Sequence, residues 1–174
     1  MELVLKRCTP EDLESLTEIS RKTFSDAFEA ANDPEDFQHY LNTALSSKTL
    51  LSELQNPLSH FYFVYHEGKV AGYFKYNEAA AQTDLKDPLA IELERIYVVS
   101  EYQNKGLGRR MINEVIQKAI ELRKRYIWLG VWEENKGAIS FYESLGFEKF
   151  GKHPYYIGKD RQMDWLMKLQ LPTL

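Results

Sequence analysis

The sequence is poor in cysteine, in basic charge and in long apolar runs. Its single cysteine, Cys8, cannot form a disulfide within the chain, and so low a content is typical of proteins from a reducing cytosol. We therefore predict a cytoplasmic location. No apolar run approaches the roughly 18 residues that cross a membrane, and the N-terminus lacks the basic start and apolar stretch of a signal peptide. The four histidines lack metal-ligand spacing, so we expect no metal site.

The net charge of −4 is unevenly distributed along the chain. Residues 26–60 carry six acidic side chains and one basic one, which gives −5, and residues 103–125 carry seven basic and two acidic ones, which gives +5. These segments are either solvated helix surfaces, or a basic half that binds an anion and an acidic half that binds a cation. Because basic segments interleaved with aromatic residues are lacking, we expect no nucleic-acid partner, and we expect no membrane partner.

The periodicity of apolar residues predicts alternating strands and helices within one domain, residues 1–174. A first strand precedes three helices, two of which begin at the capping pairs Thr9-Pro10 and Asp33-Pro34. The run HFYFVYHEGKVAGYFKY predicts a hairpin, and the last two strands are expected to be antiparallel neighbours. The predicted order is β, three α, three β, α, β, α, β, β, which favours a mixed α/β (α+β) domain.

The strand AIELERIYVV, residues 90–99, alternates as a half-buried strand does. Strict alternation places Glu92, Glu94, Ile96 and Val98 on one face. The opposite face then carries Ile91, Leu93, Arg95, Tyr97 and Val99.

The segment EYQNKGLGRRM, residues 101–111, lies between this strand and a predicted helix. Gly106 and Gly108 allow the backbone to approach a ligand closely, and the free N–H groups at a helix N-terminus attract anions. Lys105, Arg109 and Arg110 add positive charge. The segment is neither a P-loop nor a dinucleotide-binding turn, since it lacks the Ser/Thr of the first and the third glycine of the second. Alone, it is either a phosphate-binding loop or a structural turn.

Two motifs occur in order: Q-x-x-G-x-G at residues 103–108, after the alternating strand, and N-x-x-A-x-x-F-Y-x-x-x-G-F at residues 135–147. With them the sequence resembles the Gcn5-related N-acetyltransferase (GNAT) family over nearly the whole chain. The resemblance implies a single-domain fold with a mixed, mostly antiparallel central sheet flanked by helices. It also implies acetyl-CoA as the acetyl donor, no metal, and a primary amine that attacks the thioester directly.

The same resemblance implies which residues bind the donor. The pyrophosphate of CoA is expected on the loop and the pantetheine arm on the backbone of the preceding strand, where one N–H group stabilises the thioester oxygen. The expected cofactor-binding residues are Ile96, Tyr97, Val98, Gln103, Asn104, Lys105, Gly106, Leu107, Gly108, Arg109, Arg110 and Asn135. Asn135 is alternatively only the cap of its helix. The basic side chains of the loop are also candidates for binding the 3′-phosphate of CoA.

Three residues are candidates for catalysis. Tyr142 occupies the family position of the general acid that protonates the departing sulfur, although an aromatic residue here could also simply pack under the helix. Glu92 and Glu94 are candidates for the base that deprotonates the amine, with Glu94 favoured. Either glutamate is alternatively a solvent-facing acid or a binding group for a cation.

The acceptor is the least defined part of the hypothesis. The segment WLGVWEENKGAISFYESLGF and the acidic helices look most like the bacterial spermidine/spermine N-acetyltransferase branch, so our first expectation is a small cationic amine, a polyamine. The alternatives are a protein N-terminus or lysine, a small amine or amino acid, and, in another class, a non-catalytic CoA-binding regulator. Trp128 and Trp132 either wall the acceptor site or belong to the core. Many family members dimerise, which leaves a homodimer open, although no residue indicates one.

Overall fold

A seven-stranded sheet runs through the protein, as seen in a computed structural model that describes residues 2–173. The elements are β1 (Leu3–Arg7), α1 (Leu13–Phe28), α2 (Pro34–Thr43), α3 (Ser47–Gln55), β2 (Ser59–His66), β3 (Lys69–Glu78), β4 (Ala90–Val98), α4 (Leu107–Glu121), β5 (Tyr126–Trp132), α5 (Lys136–Ser144), β6 (Glu148–Ile157) and β7 (Asp160–Gln170). The strand order is β1-β2-β3-β4-β5-β7-β6, and every neighbouring pair is antiparallel except β4 and β5. The predicted mixed, mostly antiparallel sheet flanked by helices is confirmed.

Helices cover both faces of this sheet and create two cores. On the α4 face, which α4 and α5 cover, Met111 and Ile139 are among the buried residues that pack against the strands. On the α1 face, which α1, α2 and α3 cover, Leu16, Phe37 and Leu50 do the same. Burial of these apolar stripes provides the main stabilisation of the helices, because short helices are marginal in isolation.

Local signals explain where several helices begin and end. The side chain of Asp33 accepts hydrogen bonds from the backbone N–H groups of Glu35 and Asp36, each at 3.0 Å, and so caps α2. Ser46 caps α3 in the same way at 3.2 Å. Gly146, with a φ of 96°, adopts the left-handed conformation that terminates α5. Between residues 2 and 173, no helix combines the length and the apolar character needed to cross a membrane.

A β-bulge in β4 changes the faces on which its side chains lie. In the register with β3, Glu92 lies opposite Asn77 and Arg95 lies opposite Lys75, so that Glu94 is an extra residue. A bulge of this kind shifts the alternation of every residue beyond it. The strict alternation predicted for this strand is therefore wrong.

The bulge separates the two glutamates from the apolar residues with which they were grouped. Ile96 and Val98 pack into the core of the α4 face beside Leu93, whereas Tyr97 packs into the core of the α1 face. Glu92 lies on the α1 face, because Asn77 opposite it alternates with Lys75 and Tyr73 on that side. The physical reason is burial: the extra residue lets apolar side chains fill one core while the carboxylates remain beside polar partners.

A gap opens between the two parallel strands. β4 pairs with β5 only over Ala90–Glu92 and Tyr126–Trp128, and the strands then diverge. β5 stays in the sheet because β7 pairs with it along its whole length, from Tyr126 to Trp132. The backbone of β4 from residue 93 onward therefore has one edge that no strand within residues 2–173 covers.

Candidate active site

A cleft of about 840 Å³ lies at the gap between β4 and β5. Residues between Leu93 and Val98 on β4 and between Leu129 and Trp132 on β5 form its walls. On the α4 face it is bordered by α5 and by the glycine loop, residues 103–108, and on the α1 face by α1, β6 and β7. The cleft thus connects the two faces of the sheet.

The glycine loop leads into α4 without a side-chain cap. Gly106, directly before the helix, has a φ of 77°, a left-handed conformation that side-chain-bearing residues rarely adopt. The N–H group of Arg110 donates to the carbonyl of Gly106 at 3.3 Å, the first bond of the helix. The N–H groups of Leu107, Gly108 and Arg109 precede this bond and are therefore available to an anion.

The charges around the loop also fit a phosphate group. The first turn of α4 carries Arg109 and Arg110 and no acidic residue. Cations at a helix N-terminus are unfavourable, because the helix dipole is positive there, and a bound anion removes that conflict. Lys105 points elsewhere, since its ammonium donates to the carbonyl of Glu101 at 3.0 Å.

The cleft brings most of the predicted site residues together. Those that line it are Glu94, Ile96, Tyr97, Val98, Gln103, Asn104, Gly106, Leu107, Gly108, Arg109, Asn135 and Tyr142. Those that do not are Glu92, Lys105 and Arg110. Gln103 closes the loop onto the strand, because its side-chain amide donates to the carbonyl of Val98 at 3.0 Å.

Tyr142 is half-buried on α5 at the wall of the cleft. Burial raises the pKa of its phenol to about 12, so the hydroxyl keeps its proton at neutral pH and is able to donate it. Its ring packs edge-on against Phe147, with 5.6 Å between the ring centroids. Tyr142 thus both packs against Phe147 and borders the cleft, and its general-acid role stays a prediction.

Asn135 is a helix cap as well as a cleft residue. Its side-chain oxygen accepts a hydrogen bond from the N–H group of Ala138 at 3.2 Å, which fixes the start of α5. The helix then packs close to the glycine loop: a Cβ atom on Gly108 would lie 3.6 Å from Phe141. The role of Asn135 toward the cofactor stays a prediction.

Glu94 lies within a network of ion pairs at the bulge. Its carboxylate contacts the ammonium of Lys75, lies 3.8 Å from Arg95 and accepts a hydrogen bond from Asn77 at 2.8 Å. Glu53 completes the network, 3.2 Å from Lys75 and 2.9 Å from Arg95. Burial alone would raise the pKa of Glu94, but the two cations outweigh it and lower the pKa to about 2. Such a carboxylate accepts protons poorly at neutral pH.

Glu92 is buried and hydrogen-bonded on both of its oxygens. It accepts from the side chain of Asn77 at 3.0 Å, from the backbone N–H group of Thr83 at 2.8 Å and from the Thr83 hydroxyl. Burial, followed by the charge of Glu94, raises the pKa of this carboxyl. The raised pKa suits a base, whereas the three hydrogen-bond donors already occupy the carboxylate oxygens that would have to accept a proton from the substrate.

A side cavity of about 360 Å³ joins the cleft on the α1 face. The residues that border both spaces are Phe24, Glu94, Tyr97, Gly130, Tyr155 and Asp164. The carboxylates, imidazole and guanidinium that line the side cavity belong to Asp84, Glu92, Glu94, Arg95, His153 and Asp164.

Three of these residues were missed by sequence reasoning. Asp84 lies between β3 and β4, and the Nδ1 atom of His153 is 3.2 Å from its Oδ2 atom. His153 on β6 lies opposite Asp164 on β7. The sequence signal that could have paired His153 with Asp164 was the short turn at Gly158-Lys159, which fixes the register of this hairpin.

No group of three or more His, Cys, Asp or Glu side chains in residues 2–173 is arranged to hold a metal ion.

Two further sequence features are divided between the cleft and the rest of the fold. Among the six acidic residues of positions 26–60, Asp26 lines the cleft, whereas Glu53 belongs to the ion-pair network. Trp128 is fully buried and donates its indole N–H to Gln82 at 2.9 Å, whereas Trp132 borders the cleft. Charge counts along the sequence therefore overstate the acidity that the first helices bring to the site.

Comparison with known proteins agrees with this geometry. Residues 13–147 match the Acetyltransferase (GNAT) family. An uncharacterized N-acetyltransferase in the pepI 3′ region of Lactobacillus delbrueckii subsp. lactis is 41% identical over 160 residues, 92% of each chain. The spermine/spermidine N(1)-acetyltransferase of Bacillus subtilis is 30% identical over 119 residues, 66% of this chain and 77% of that enzyme.

The fold also matches solved structures. The PaiA N-acetyltransferase from Thermoplasma acidophilum, solved in complex with coenzyme A, superposes with a TM-score of 0.76 at 21% identity, over 98% of this chain and 99% of that one. With the family match over residues 13–147, the chain belongs to the acetyltransferase (GNAT) family and is an N-acetyltransferase that takes its acetyl group from acetyl-CoA.

Proposed function

We propose that the acceptor is a small cationic amine, with a polyamine such as spermidine or spermine as the first candidate. The observation that carries this proposal is the side cavity, whose lining residues contribute four carboxylates, one guanidinium and one imidazole. The Lys75 ammonium pairs with one of these carboxylates, Glu94, and the carboxylates still outnumber the guanidinium and the ammonium. A cavity of this charge attracts cations. The similarity to the spermine/spermidine enzyme of Bacillus subtilis supports the same class of acceptor.

In this proposal the donor lies on the α4 face. The N–H groups of Leu107, Gly108 and Arg109 bind the pyrophosphate of CoA, and the Arg109 guanidinium adds charge. The backbone of residues 96–98 faces the gap, and one of its N–H groups stabilises the negative charge that develops on the thioester oxygen. The uncovered edge of β4 supports this role. The amine reaches the thioester from the α1 face, through the gap.

The two proton transfers are assigned to different residues. Tyr142 donates its phenolic proton to the departing sulfur, which its raised pKa of about 12 permits at neutral pH. Of the two strand glutamates offered as the base, Glu94 is held in ion pairs and Glu92 is occupied by three donors. We therefore assign both glutamates to the charge of the side cavity rather than to removal of the proton from the amine.

A panel of amines tests the proposal. Purified protein is mixed with acetyl-CoA and spermidine, spermine, lysine, an alanine-initiated peptide or a small monoamine, and release of free thiol is followed with a chromogenic reagent. We expect the polyamines to give the highest kcat/KM. A higher value for the peptide would assign the enzyme to protein acetylation. Binding of acetyl-CoA without thiol release from any amine would indicate a non-catalytic CoA-binding protein.

A further inference from the structure

Asp164 carries a mostly buried carboxylate at the junction of the cleft and the side cavity. Its residue is 8% exposed, and within residues 2–173 its side chain accepts no hydrogen bond of 3.5 Å or less. The Nε2 atom of His153 lies 3.8 Å from the Oδ2 atom of Asp164. The Asp164 side chain is 12% exposed, so the carboxylate is open to the adjoining space. Because Asp164 borders both the cleft and the side cavity, a ligand in that space is able to satisfy it.

The imidazole of His153 lies beside the Asp164 carboxylate, above Gly130. A Cβ atom built on Gly130 would lie 3.2 Å from the Oδ2 atom of Asp164 and 3.2 Å from the Nε2 atom of His153. These two atoms therefore converge over Gly130, on the stretch of β5 that β4 no longer pairs with. On its other side, the ring is held by Asp84, 3.2 Å from Nδ1. With the Nδ1–H donating to Asp84, the Nε2 lone pair points to Asp164.

We propose that Asp164 binds the ammonium group of the acceptor amine over Gly130, and that His153 removes its proton. The inference rests on the proposed function, since it concerns the amine of that reaction. The ammonium gives one proton to Nε2, which leaves a neutral amine and an imidazolium between two carboxylates. The amine then attacks the thioester carbon through the gap, and the tetrahedral intermediate collapses with cleavage of the C–S bond. The second proton of the amine leaves to water, while Tyr142 protonates the departing thiolate and regains a proton from water. The imidazolium returns to neutrality by releasing its proton to water, since the His153 side chain is 19% exposed.

The electrostatic surroundings suit a base that works near neutral pH. The neighbouring carboxylate of Asp164, followed by that of Asp84, raises the pKa of His153 against the lowering effect of burial. The other charged or titratable groups that line the side cavity are Tyr40, Tyr73, Glu92, Glu94, Arg95, Tyr97 and Tyr155. The imidazole is neutral only above its raised pKa, so kcat/KM for the amine should rise as the pH increases through that value.

The first test replaces the carboxylate. We expect Asp164→Asn to raise the KM for spermidine at least tenfold, because a charged hydrogen bond to the ammonium is lost, and to leave the Kd for acetyl-CoA unchanged in calorimetry. The matched control is Asp160→Asn on the same strand, whose carboxylate accepts from Gln162 at 2.9 Å and lines neither space. An unchanged KM in Asp164→Asn, in an enzyme that acetylates spermidine, would overturn the proposal.

The second test does not depend on turnover. The ring Hε1 resonance of His153, assigned by its loss in His153→Gln, is followed by NMR during titration with spermidine. We expect it to move in the native protein and not in Asp164→Asn, and its pKa to fall in Asp164→Asn. If the chemical shift of this resonance in the native protein does not change at saturating spermidine, the amine subsite is refuted, even if thiol release supports the proposed function. A resonance that moves without thiol release retains the subsite and refutes the catalytic proposal instead.

Discussion

The two halves of the cleft are assembled in opposite ways. The half on the α4 face comes from one continuous stretch, from the end of β4 through the glycine loop and α4 to α5, and it presents mainly backbone N–H groups. The half on the α1 face collects side chains from α1, the β3–β4 segment, β4, β6 and β7. A site made of backbone is sensitive to chain geometry, whereas a site made of side chains is sensitive to residue identity. The following variants test that difference.

The largest effect is expected for Gly106→Val. A β-branched residue at φ 77° is strained, although in residues 2–173 no atom beyond the two chain neighbours lies within 4 Å of the added Cβ. The loop should therefore relax and lose the N–H groups that bind phosphate, which weakens acetyl-CoA binding by about 100-fold or more. Calorimetry measures the Kd, and circular dichroism checks the fold.

Gly68 provides a matched control for this variant. It lies in the β2–β3 turn with a φ of 75°, and among the described residues no atom beyond its chain neighbours lies within 4 Å of its Cβ position. Gly68→Val should carry a similar conformational cost, about 1–3 kcal/mol, without any change in acetyl-CoA binding. Equal affinities of the two variants would show that the glycine loop does not bind the donor.

A large effect on turnover is expected for Tyr142→Phe. Loss of the phenolic proton should lower kcat by about 100-fold or more, with the acetyl-CoA Kd nearly unchanged because the ring still packs against Phe147. Tyr102→Phe, which removes another hydroxyl from a residue that lines the cleft, serves as the control. Steady-state kinetics with the best amine measure kcat. A kcat of Tyr142→Phe equal to that of the native enzyme would rule out the general-acid role.

Glu94 and Glu92 should affect stability in opposite directions. The pKa of Glu94 is lowered to about 2, so its carboxylate stabilises the fold above the unfolded pKa, and that contribution disappears as the pH falls from about 4.5 to about 2. Glu94→Gln, which resembles the protonated form, should cost about 3 kcal/mol at pH 7 and little near pH 2.

For Glu92 the sign is reversed. Its pKa is raised, so the folded state disfavours the carboxylate, and Glu92→Gln should be neutral or stabilising at pH 7. The amide fits the same partners, because its oxygen accepts from Asn77 and Thr83 while the Thr83 hydroxyl accepts from its NH₂ group. Urea denaturation of both variants across this pH range measures the difference. A similar decrease in the free energy of unfolding in both variants would contradict the assigned ion-pair network.

The smallest effect is expected at Asn135. Asn135→Ala removes the cap of α5 and should cost about 1 kcal/mol of stability, with a modest fall in kcat because α5 carries Tyr142. Asn135→Asp keeps the cap. If capping is the only function, it restores both stability and the acetyl-CoA Kd. Restored stability with weakened acetyl-CoA binding would instead reveal a direct role toward the cofactor.

The contrast between the halves also explains which parts of the site were predictable. The glycine loop and the Asn135–Phe147 motif are local, and the elements that carry them lie where apolar periodicity placed them. The bulge at Glu94 was not predictable from the strand itself, since it depends on how β4 pairs with β3. The meeting of His153 with Asp164 was accessible through the turn at Gly158, but nothing local connected either residue with Asp84.

The sequence by itself determined the order of strands and helices, the glycine loop before α4 and the place of Tyr142 on α5, because these depend on contacts within a few residues. The tertiary structure alone decided that β4 and β5 separate after three pairs, that the two glutamates face Lys75 and Asn77, and that Asp164 and His153 converge over Gly130. Those features depend on which strands pair and on which side chains each core accepts, and both involve residues far apart in the chain.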